Sequence, residues 1–312
     1  NGGASASDVC SGVRWTNNFT GLSDGCGATG AATVTFTATD SCGNATSTTA
    51  TFTIIDTIAP TIDTDASDLT VACDGQGNTA ALAAWLASNG GASASDVCSG
   101  VRWTNNYTGL SDGCGATGNA TVTFTATDSC GNATSTTATF TIIDTIAPTI
   151  DTEAKDQTVD CDGAGNTAAL AAWLASNGGA SASDICSGVK WSNNYTGLSD
   201  GCGATGNATV TFTATDSCGN ATSTTATFTI IDTIAPTIDT EAKDKTVDCD
   251  GGGNTAALAA WLASNGGASA SDICSGVKWT NNYTGLSDGC GATGNATVTF
   301  TATDSCGNAT ST

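Results

Sequence analysis

The chain has 312 residues, with no histidine, no methionine, 15 cysteines and a formal net charge of −22. The lack of histidine excludes imidazole-dependent catalysis and imidazole metal ligands. Only 7 basic residues stand against 29 acidic ones, which excludes a basic face for binding nucleic acid. The string NGGASASD begins at Asn1, Asn89, Asn177 and Asn265, so the sequence repeats every 88 residues.

Neighbouring repeats are almost identical, since residues 89–176 and 177–264 differ at five positions. Such identity is typical of a stack of equivalent units, whereas an enzyme needs one unique pocket. A unit of this size can hold its own small core, so we predict tandem domains. We expect a partial module over 1–57 that lacks its first strand and helix, complete modules over 58–145 and 146–233, and a module over 234–312 that lacks its last strand. The chain carries no signal peptide, membrane-spanning run or lipidation motif, and we expect it to be a window of a longer protein.

In chain order, the repeat from Ile58 opens with a short predicted strand at Leu69–Cys73. The segment Asn78–Gly91 is the one helical pattern, with Asn78 as a natural N-cap and Gly90 or Gly91 as the stop. Leu82, Trp85 and Leu86 share one face of this helix at i, i+3 and i+4.

Three strands follow the helix. Val101–Asn105 carries Trp103 toward the core, and core packing is favoured over a sugar-stacking role for this and the other tryptophans. Ala120–Thr127 and Thr137–Ile143 alternate apolar residues with threonine, which predicts an antiparallel hairpin with one buried face and one threonine-coated face. The repeat therefore predicts a mainly β fold of tandem immunoglobulin-like sandwich modules, each with one short helix and two disulfides.

Each full repeat carries four cysteines, and the count of 15 arises because the chain begins after the first cysteine of its first repeat. An even number per small unit, without a CxxC motif, predicts disulfides and an extracellular setting. Structural zinc is the weaker alternative, since the close cysteine pairs of such sites are missing.

The expected strand directions place Cys73 and Cys114 at one end of the module and Cys98 and Cys130 at the other, which favours pairing within each end. The other two connectivities stay open. Applied to every repeat, the favoured pairing gives Cys98–Cys130, Cys73–Cys114, Cys186–Cys218, Cys161–Cys202, Cys274–Cys306, Cys249–Cys290 and Cys10–Cys42, and leaves Cys26 unpaired.

The motifs VxCDGxGNT, AWLASNGGA, SDxCSGVxW and ATDSCGN recur in this order in each complete unit. In these motifs the chain resembles four-cysteine hyalin-repeat-like domains from secreted surface proteins of Bacteroidota, including gliding and biofilm adhesins. The resemblance implies an immunoglobulin-like fold, export to the cell surface, commonly by the type IX route, and an adhesive or fibre-forming role. It implies no catalytic residues.

The linker DTIAPTID also resembles the DTTAP linkers of bacterial giant adhesins, in which calcium stiffens the joints, and this likeness covers Asp144. Acidic residues gathered at each joint without compensating basic ones suit Ca²⁺, which takes six to eight oxygen ligands. The alternative is that these residues only cap turns and keep the surface soluble. The candidate ligands are Asp56, Asp63, Asp96 and Asp128 at one joint, Asp144, Asp151, Asp184 and Asp216 at the next, and Asp232, Asp239, Asp272 and Asp304 at the last.

The threonine rows admit three interpretations. Plain exposure on a β-face is favoured, because threonine has high β-propensity. Glycan attachment comes next, since Thr57, Thr145 and Thr233 follow the Asp-Thr-apolar pattern that the resemblance associates with O-glycosylation in Bacteroidota. A flat array for ice or polysaccharide is disfavoured by sheet twist.

We therefore predict the structural repeat region of a secreted or cell-surface fibre or adhesin, an extended disulfide-stabilised filament for adhesion, matrix or surface projection. Its expected partners are further copies of the same repeat, in a fibre or along one chain, together with glycans or surface ligands. The alternative is a stalk or binding array for carbohydrate, ice or a partner protein. We expect no enzyme activity, because no histidine or regularly placed lysine can activate the serines and cysteines.

Overall fold

The computed structural model describes residues 1–312. It is mainly β, with repeated sheet modules and three short α-helices, as the repeat pattern predicted. The chain packs as two compact units, one formed by Asn1–Thr145 with Ile185–Ser187 and the other by Ile146–Asp184 with Gly188–Thr312. None of the helices has the length and apolar character needed to span a membrane. Below, modules 1 to 4 denote residues 1–57, 58–145, 146–233 and 234–312.

The first unit contains modules 1 and 2. Module 1 has the strands β1 (Arg14–Asn17), β2 (Gly30–Thr39) and β3 (Ala45–Ile54) in one antiparallel sheet of that order. Module 2 has β4 (Thr61–Thr64), β5 (Leu69–Ala72), α1 (Thr79–Ala87), β6 (Ser93–Ser95), β7 (Arg102–Asn105), β8 (Gly118–Thr127) and β9 (Ala133–Ile143). Its main sheet runs β5-β9-β8-β7, with β5 parallel to β9, and β4 pairs with β6 in a second, two-stranded sheet.

The second unit repeats this plan. Module 3 has β10 (Thr149–Thr152), β11 (Gln157–Asp160), α2 (Thr167–Ala175), β12 (Ser181–Ser183), β13 (Lys190–Asn193), β14 (Gly206–Thr215) and β15 (Ala221–Ile231). Module 4 has β16 (Thr237–Thr240), α3 (Thr255–Ala263), β17 (Ser269–Ser271), β18 (Lys278–Asn281), β19 (Phe300–Thr303) and β20 (Ala309–Ser311). A 3₁₀ turn follows each helix, at Asn89–Gly91, Asn177–Gly179 and Asn265–Gly267.

The predicted hairpin forms the core of each complete module. In β8 and β9 the apolar side chains are buried, with Val122, Phe124 and Phe140 at 0% exposure. On the other face the threonines pair across the strands, as in the 3.0 Å hydrogen bond between the hydroxyls of Thr121 and Thr139. Period-two alternation therefore sorts the apolar and threonine side chains to opposite faces of the hairpin, as predicted.

The helix packs its predicted face onto this hairpin. The Trp85 ring meets that of Phe124 edge-on at 5.2 Å between centroids, and its Nε1 donates to the Ser67 carbonyl at 3.0 Å. Leu82 is also buried. This arrangement buries a large aromatic surface and still satisfies the indole N–H.

The predicted side-chain cap at Asn78 is wrong, although the helix does begin immediately after it. Asn78 has φ +50° and makes no capping hydrogen bond to the helix. Its amide instead donates to the Ala72 carbonyl at 2.8 Å, while its backbone N–H donates to Asp74 Oδ1 at 2.9 Å. The residue therefore ties the loop back to β5, a task that asparagine performs because it tolerates the left-handed region.

Modules 1 and 4 leave apolar surface uncovered. Phe52 on β3 is 64% exposed, whereas its counterpart Phe140 is fully buried. In module 4 a cavity of about 450 Å³ lies beside Val247, Trp261 and Leu286. In module 2 the equivalent surfaces are covered by β5, α1 and the distal half of β9. In modules 1 and 4 part of this cover is missing, so apolar side chains are exposed.

Candidate functional site at the module joints

Within the two units, every disulfide joins a cysteine of one module to a cysteine of the next. The first unit contains Cys26–Cys130 and Cys73–Cys186. The second unit contains Cys161–Cys274 and Cys202–Cys306. The bonded residues are separated by 104 or 113 positions, which is more than one repeat.

The predicted pairing within modules is therefore wrong. Cys130 bonds to Cys26, and Cys73 bonds to Cys186, so neither is available to a partner in its own module. The pairs that do not form are Cys98–Cys130, Cys73–Cys114, Cys186–Cys218, Cys161–Cys202, Cys274–Cys306, Cys249–Cys290 and Cys10–Cys42.

The physical reason is that the prediction treated each module as closed. Ser129 N–H donates to Ser99 Oγ at 3.1 Å, so the segments that carry Cys130 and Cys98 do meet at one end of module 2. The linker brings this end against module 1, where Cys26 is close enough to bond Cys130. A cysteine near a module end can therefore find its partner across the joint.

Five cysteines are free, namely Cys10, Cys42, Cys98, Cys249 and Cys290. Cys114 and Cys218, like the eight cysteines above, are disulfide-bonded. The bonded pairs are 104 or 113 positions apart, depending on which of the four cysteines of a repeat is involved. When the same separation is applied to each free cysteine, its partner position falls outside residues 1–312. The free cysteines thus follow from the pairing rule and are not exceptions to it.

A glycine after one bonded cysteine lets the backbones of two modules touch. Gly203 has φ +61°, and a Cβ there would lie 2.6 Å from the carbonyl oxygen of Cys274. Beside it, the Ala204 N–H donates to that same carbonyl at 2.9 Å. In the first unit, Gly27 and Ala28 make the same contacts with Cys98. The joint therefore has a direct main-chain contact that only glycine allows.

Carboxylates gather beside these contacts. In the second unit, Asp232, Asp272 and Asp304 each offer one carboxylate oxygen, and the three oxygens lie within 4.8 Å of one another. In the first unit, Asp56 and Asp128 form the corresponding group with the sulfur of Cys130, which belongs to a disulfide. The sequence thus placed these five aspartates correctly at the joints.

Local hydrogen bonds hold the carboxylates in place. Asp304 accepts the backbone and side-chain N–H groups of Asn308, each at 2.8 Å. Burial alone would raise the pKa of Asp304, but these hydrogen bonds outweigh it and keep that pKa below its ordinary value of 3.8. Asp272 accepts the N–H groups of Cys274 and Ser275 at 2.9 and 2.8 Å. The Asn308 amide also donates to the Asp232 carbonyl at 3.1 Å, a cross-joint bond that sequence reasoning missed although the DSCGN motif contains this residue.

One carboxylate oxygen in each cluster has no hydrogen-bond partner. These buried atoms are Oδ2 of Asp56 and Oδ2 of Asp232. A buried, unpaired carboxylate oxygen beside other carboxylates is unfavourable unless a cation is bound. Three hard oxygen ligands with a buried, unsatisfied member fit Ca²⁺, with further oxygens from water or main chain completing its shell.

The free thiol beside the first cluster does not suit a soft metal. Burial, and then the negative charges of Asp56, Asp96 and Asp128, raise the pKa of the Cys98 thiol above its ordinary value of 9.0. The thiol therefore stays protonated at neutral pH, and zinc would need the thiolate. The charge of Asp96 acts here although its carboxylate is engaged by the N–H groups of Cys98 and Ser99.

Four of the other predicted ligands make hydrogen bonds of their own. Asp63, Asp151 and Asp239 lie outside these clusters and accept hydrogen bonds from Ser95, Ser183 and Ser271. Asp216 is buried and holds the turn at Cys218 and Asn220, as Asp304 does in module 4. Asp144 and Asp184 are half-buried. Turn capping, the alternative weighed for the sequence, thus accounts for part of the acidic set.

The candidate glycan acceptors Thr57, Thr145 and Thr233 are all exposed. The Thr233 hydroxyl donates to Asp160 Oδ1 at 2.6 Å. Position 72, the counterpart of Asp160 for Thr145, is an alanine. The Thr233 and Thr145 sites therefore differ in how freely the hydroxyl can react.

Comparison with known proteins gives weak similarities only. No protein-family model matches the chain, and no curated protein matches it. Among solved structures, it is similar to protocadherin gamma B7 extracellular cadherin domains 1–4, with a TM-score of 0.29, 11% identity, and coverage of 90% of this chain and 82% of that one. For Drosophila N-cadherin EC1–4 the TM-score is 0.25, with 13% identity and coverage of 67% and 59%. For mouse cadherin-23 EC22–24 it is 0.23, with 13% identity and coverage of 66% and 75%. TM-scores this low do not establish a common fold.

Proposed function

We propose that the chain is the structural repeat region of an extracellular fibre or adhesin, in which load passes from module to module through disulfides. The observation that supports this function is the pairing across the joints. A disulfide within a module protects only that module, whereas one that spans a joint prevents two modules from separating. Two such bonds, Cys161–Cys274 and Cys202–Cys306, span the joint between modules 3 and 4.

The composition supports the same function. Disulfides persist in oxidising compartments, which supports an extracellular location. A net charge of −22 keeps the exposed threonine-rich sheets soluble and discourages unspecific strand pairing. The joints hold main-chain contacts, disulfides and carboxylates, and no residue there has the environment of an activated nucleophile, so we propose no enzymatic role.

Pulling on the chain ends tests the load-bearing function. The Cys161–Cys274 bond bypasses 113 residue positions, which is about 400 Å of extended chain. We expect the oxidised protein to stop extending at a length shorter by at least this amount than the reduced protein. The variant C249S/C290S, which removes two free cysteines, should extend like the oxidised wild type. Equal final lengths before and after reduction would contradict the proposal.

We further propose that the acidic cluster at each joint binds Ca²⁺. Asp232, Asp272 and Asp304 would hold the ion, which would neutralise their mutual repulsion and draw two modules together. Support comes from the buried, unpaired Oδ2 of Asp232 and its counterpart on Asp56. Asp232 belongs to the linker and the other two to module 4, so the ion would stiffen the linker at its point of entry.

Calcium binding is tested with a matched pair of variants. We expect calcium to raise the midpoint of thermal unfolding, and Asp232→Asn to lower the measured calcium stoichiometry. Asp239→Asn is the control, because Asp239 is exposed, lies outside the cluster and contacts Ser271. The proposal fails if elemental analysis finds no calcium and a chelator leaves the midpoint unchanged.

The recurring sequence motifs support a family assignment and a covalent modification. We propose membership of the hyalin-repeat-like family and export to the surface of a Bacteroidota cell, on the motifs described above. We also propose glycans at Thr57 and Thr145; for Thr145 the position that corresponds to Asp160 is Ala72, so no such carboxylate holds its hydroxyl. Mass spectrometry of the native protein would show the added sugar mass, and unmodified peptides at both sites would exclude it.

A further inference from the structure

The two disulfides that span the joint between modules 3 and 4 differ in exposure. Cys161 and Cys274 are 4% and 6% exposed, whereas Cys202 is exposed and Cys306 is half-buried. We infer that the second kind of bond is a site of exchange with small thiols, and that neighbouring aspartates restrict this exchange to uncharged or cationic thiols. The buried bond would meanwhile keep the two modules attached.

This difference follows the position of the cysteine in the repeat. Cys73 and Cys186 form the buried bond of the first unit, at 7% and 6% exposure. Cys26 and Cys130 form its accessible bond, and both are half-buried. Cys114, which stands at the position of Cys26 in the next repeat, is half-buried as well. A small reductant therefore reaches one kind of bond before the other, and accessible disulfides are the labile ones.

Carboxylates stand beside the accessible bonds. Asp56 and Asp128 each place one oxygen within 4.8 Å of the Cys130 sulfur. The local turn fixes this arrangement, because Asp128 accepts the backbone N–H of Cys130 at 2.8 Å. In the second unit, Asp304 accepts the backbone N–H of Cys306 in the same way. The sulfur on this side of the bond is therefore held close to negative charge.

Exchange adds more negative charge at this place. A small thiolate attacks the Sγ of Cys26, forms a mixed disulfide with it and displaces Cys130 as a thiolate. A second small thiolate attacks the other sulfur of the mixed disulfide, displaces the Cys26 thiolate and leaves as a small disulfide. Two small thiols are oxidised, one protein disulfide is reduced, and the protein thiolates take up protons from water. Attack at Cys130 instead would bring the incoming thiolate against the same carboxylates.

The charge on the rest of the small thiol decides how strongly it is repelled. An ammonium group on the thiol offsets the negative charge of its sulfur, whereas a sulfonate group adds to it. Repulsion between unit charges a few ångströms apart beside water slows a reaction by about tenfold. Ca²⁺ in the cluster would cancel this repulsion, and this last point alone rests on the proposed calcium site.

Reduction by three small thiols, in the presence of a chelator, tests the inference. Cysteamine is cationic, mercaptoethanol is uncharged and mercaptoethanesulfonate is anionic. The free cysteines are first blocked with an uncharged alkylating reagent, and peptide mapping then assigns each reduction rate to one bond. Each rate is divided by the rate at which the same thiol reduces a small uncharged disulfide, which removes differences in intrinsic reactivity.

We expect the accessible bonds, Cys26–Cys130 and Cys202–Cys306, to open before the buried ones. At both accessible bonds the normalised rate should be about tenfold lower with the anionic thiol than with the cationic one. Asp56→Asn should reduce this ratio at Cys26–Cys130 and leave it unchanged at Cys202–Cys306, which is the control within the same molecule. Asp63→Asn should change neither ratio, because Asp63 lies outside the cluster and contacts Ser95.

Three outcomes would overturn the inference. They are equal normalised rates for the three thiols, an equal effect of Asp56→Asn on both accessible bonds, and earlier opening of the buried bonds. Added Ca²⁺ should reduce the ratio as Asp56→Asn does. If only the substitution reduces it, the calcium site fails and the selection by charge stands. The load-bearing function is tested separately by extension, so its failure is distinguishable from either result.

Discussion

Replacement of Gly203 by alanine should weaken the joint between modules 3 and 4. The new Cβ would lie 2.6 Å from the Cys274 carbonyl oxygen and 2.7 Å from the Cβ of Ser275, both too close for an ordinary contact. Gly291 stands in the same sequence, CGATG, with nearly the same φ, yet a Cβ there meets nothing within 4 Å. The two substitutions are thus alike in chemistry and differ in the contact made across the joint.

The expected magnitudes follow from these contacts. Both variants place alanine in the left-handed region, at a cost of about 1–2 kcal/mol. Gly203→Ala also disturbs the Ala204–Cys274 hydrogen bond, at about 1 kcal/mol, and crowds a packed contact, at about 1–3 kcal/mol. We therefore expect Gly203→Ala to lower the free energy of unfolding by about 2–4 kcal/mol more than Gly291→Ala does.

Urea unfolding of the oxidised protein, followed by tryptophan fluorescence, measures this difference. Equal losses in the two variants would refute the reasoning, since they would show that the module contact adds nothing to stability. A larger loss for Gly291→Ala would refute it more strongly.

Three further predictions concern the linker, the loop before a helix and the core. A protease site inserted after Thr233 should be cut without separating modules 3 and 4 until a reductant is added, because Cys161–Cys274 and Cys202–Cys306 span the cut; release without reductant on electrophoresis would contradict the pairing. Hydrogen bonds from the N–H groups of Asn166 and Ala164 hold the pKa of Asp162 below its ordinary value of 3.8. The Asp162 carboxylate therefore stabilises the fold fully above pH 3.8, and this stabilisation is lost as the pH falls through the lower pKa of the folded state. Asp162→Asn should accordingly flatten the acid limb of a profile of unfolding free energy against pH, measured in urea. Trp173→Ala should cost about 3–5 kcal/mol in urea unfolding, because Trp173 is 4% exposed, and half-buried Trp261→Ala should cost clearly less.

The sequence predicted the hairpin well because local physics decides it. In Ala120–Thr127 and Thr137–Ile143 the alternation is unbroken, and only one register buries every apolar side chain. The helix was found for the same reason, since Leu82 and Trp85 share a face. The predicted N-cap at Asn78 was wrong because asparagine serves both as an N-cap and as a left-handed loop residue. The hydrogen bond to Ala72 decides between these two roles.

The joints were predicted only in part. The linker motif and the acidic residues indicated where Asp56, Asp128 and Asp232 would gather, because a short linker must bring module ends together. The disulfide partners could not be chosen in the same way. A period of 88 gives every cysteine an identical copy in the next repeat, so bonds within and between modules have the same sequence signature. Only the three-dimensional contact at Gly203 and its counterparts distinguishes them.

The pairing between modules has a consequence for the order in which the protein is made. Cys26 cannot meet Cys130 until 104 more residues have been synthesised, which takes about 5–20 s at typical ribosomal rates. During this time each new module exposes thiols whose intended partners do not yet exist, while near-identical copies accumulate behind it. The linker must then select the adjacent copy through its high effective concentration. Accurate maturation of this protein is therefore a problem of timing, in which oxidation that comes too early would trap bonds within a module and too late would permit bonds that skip one.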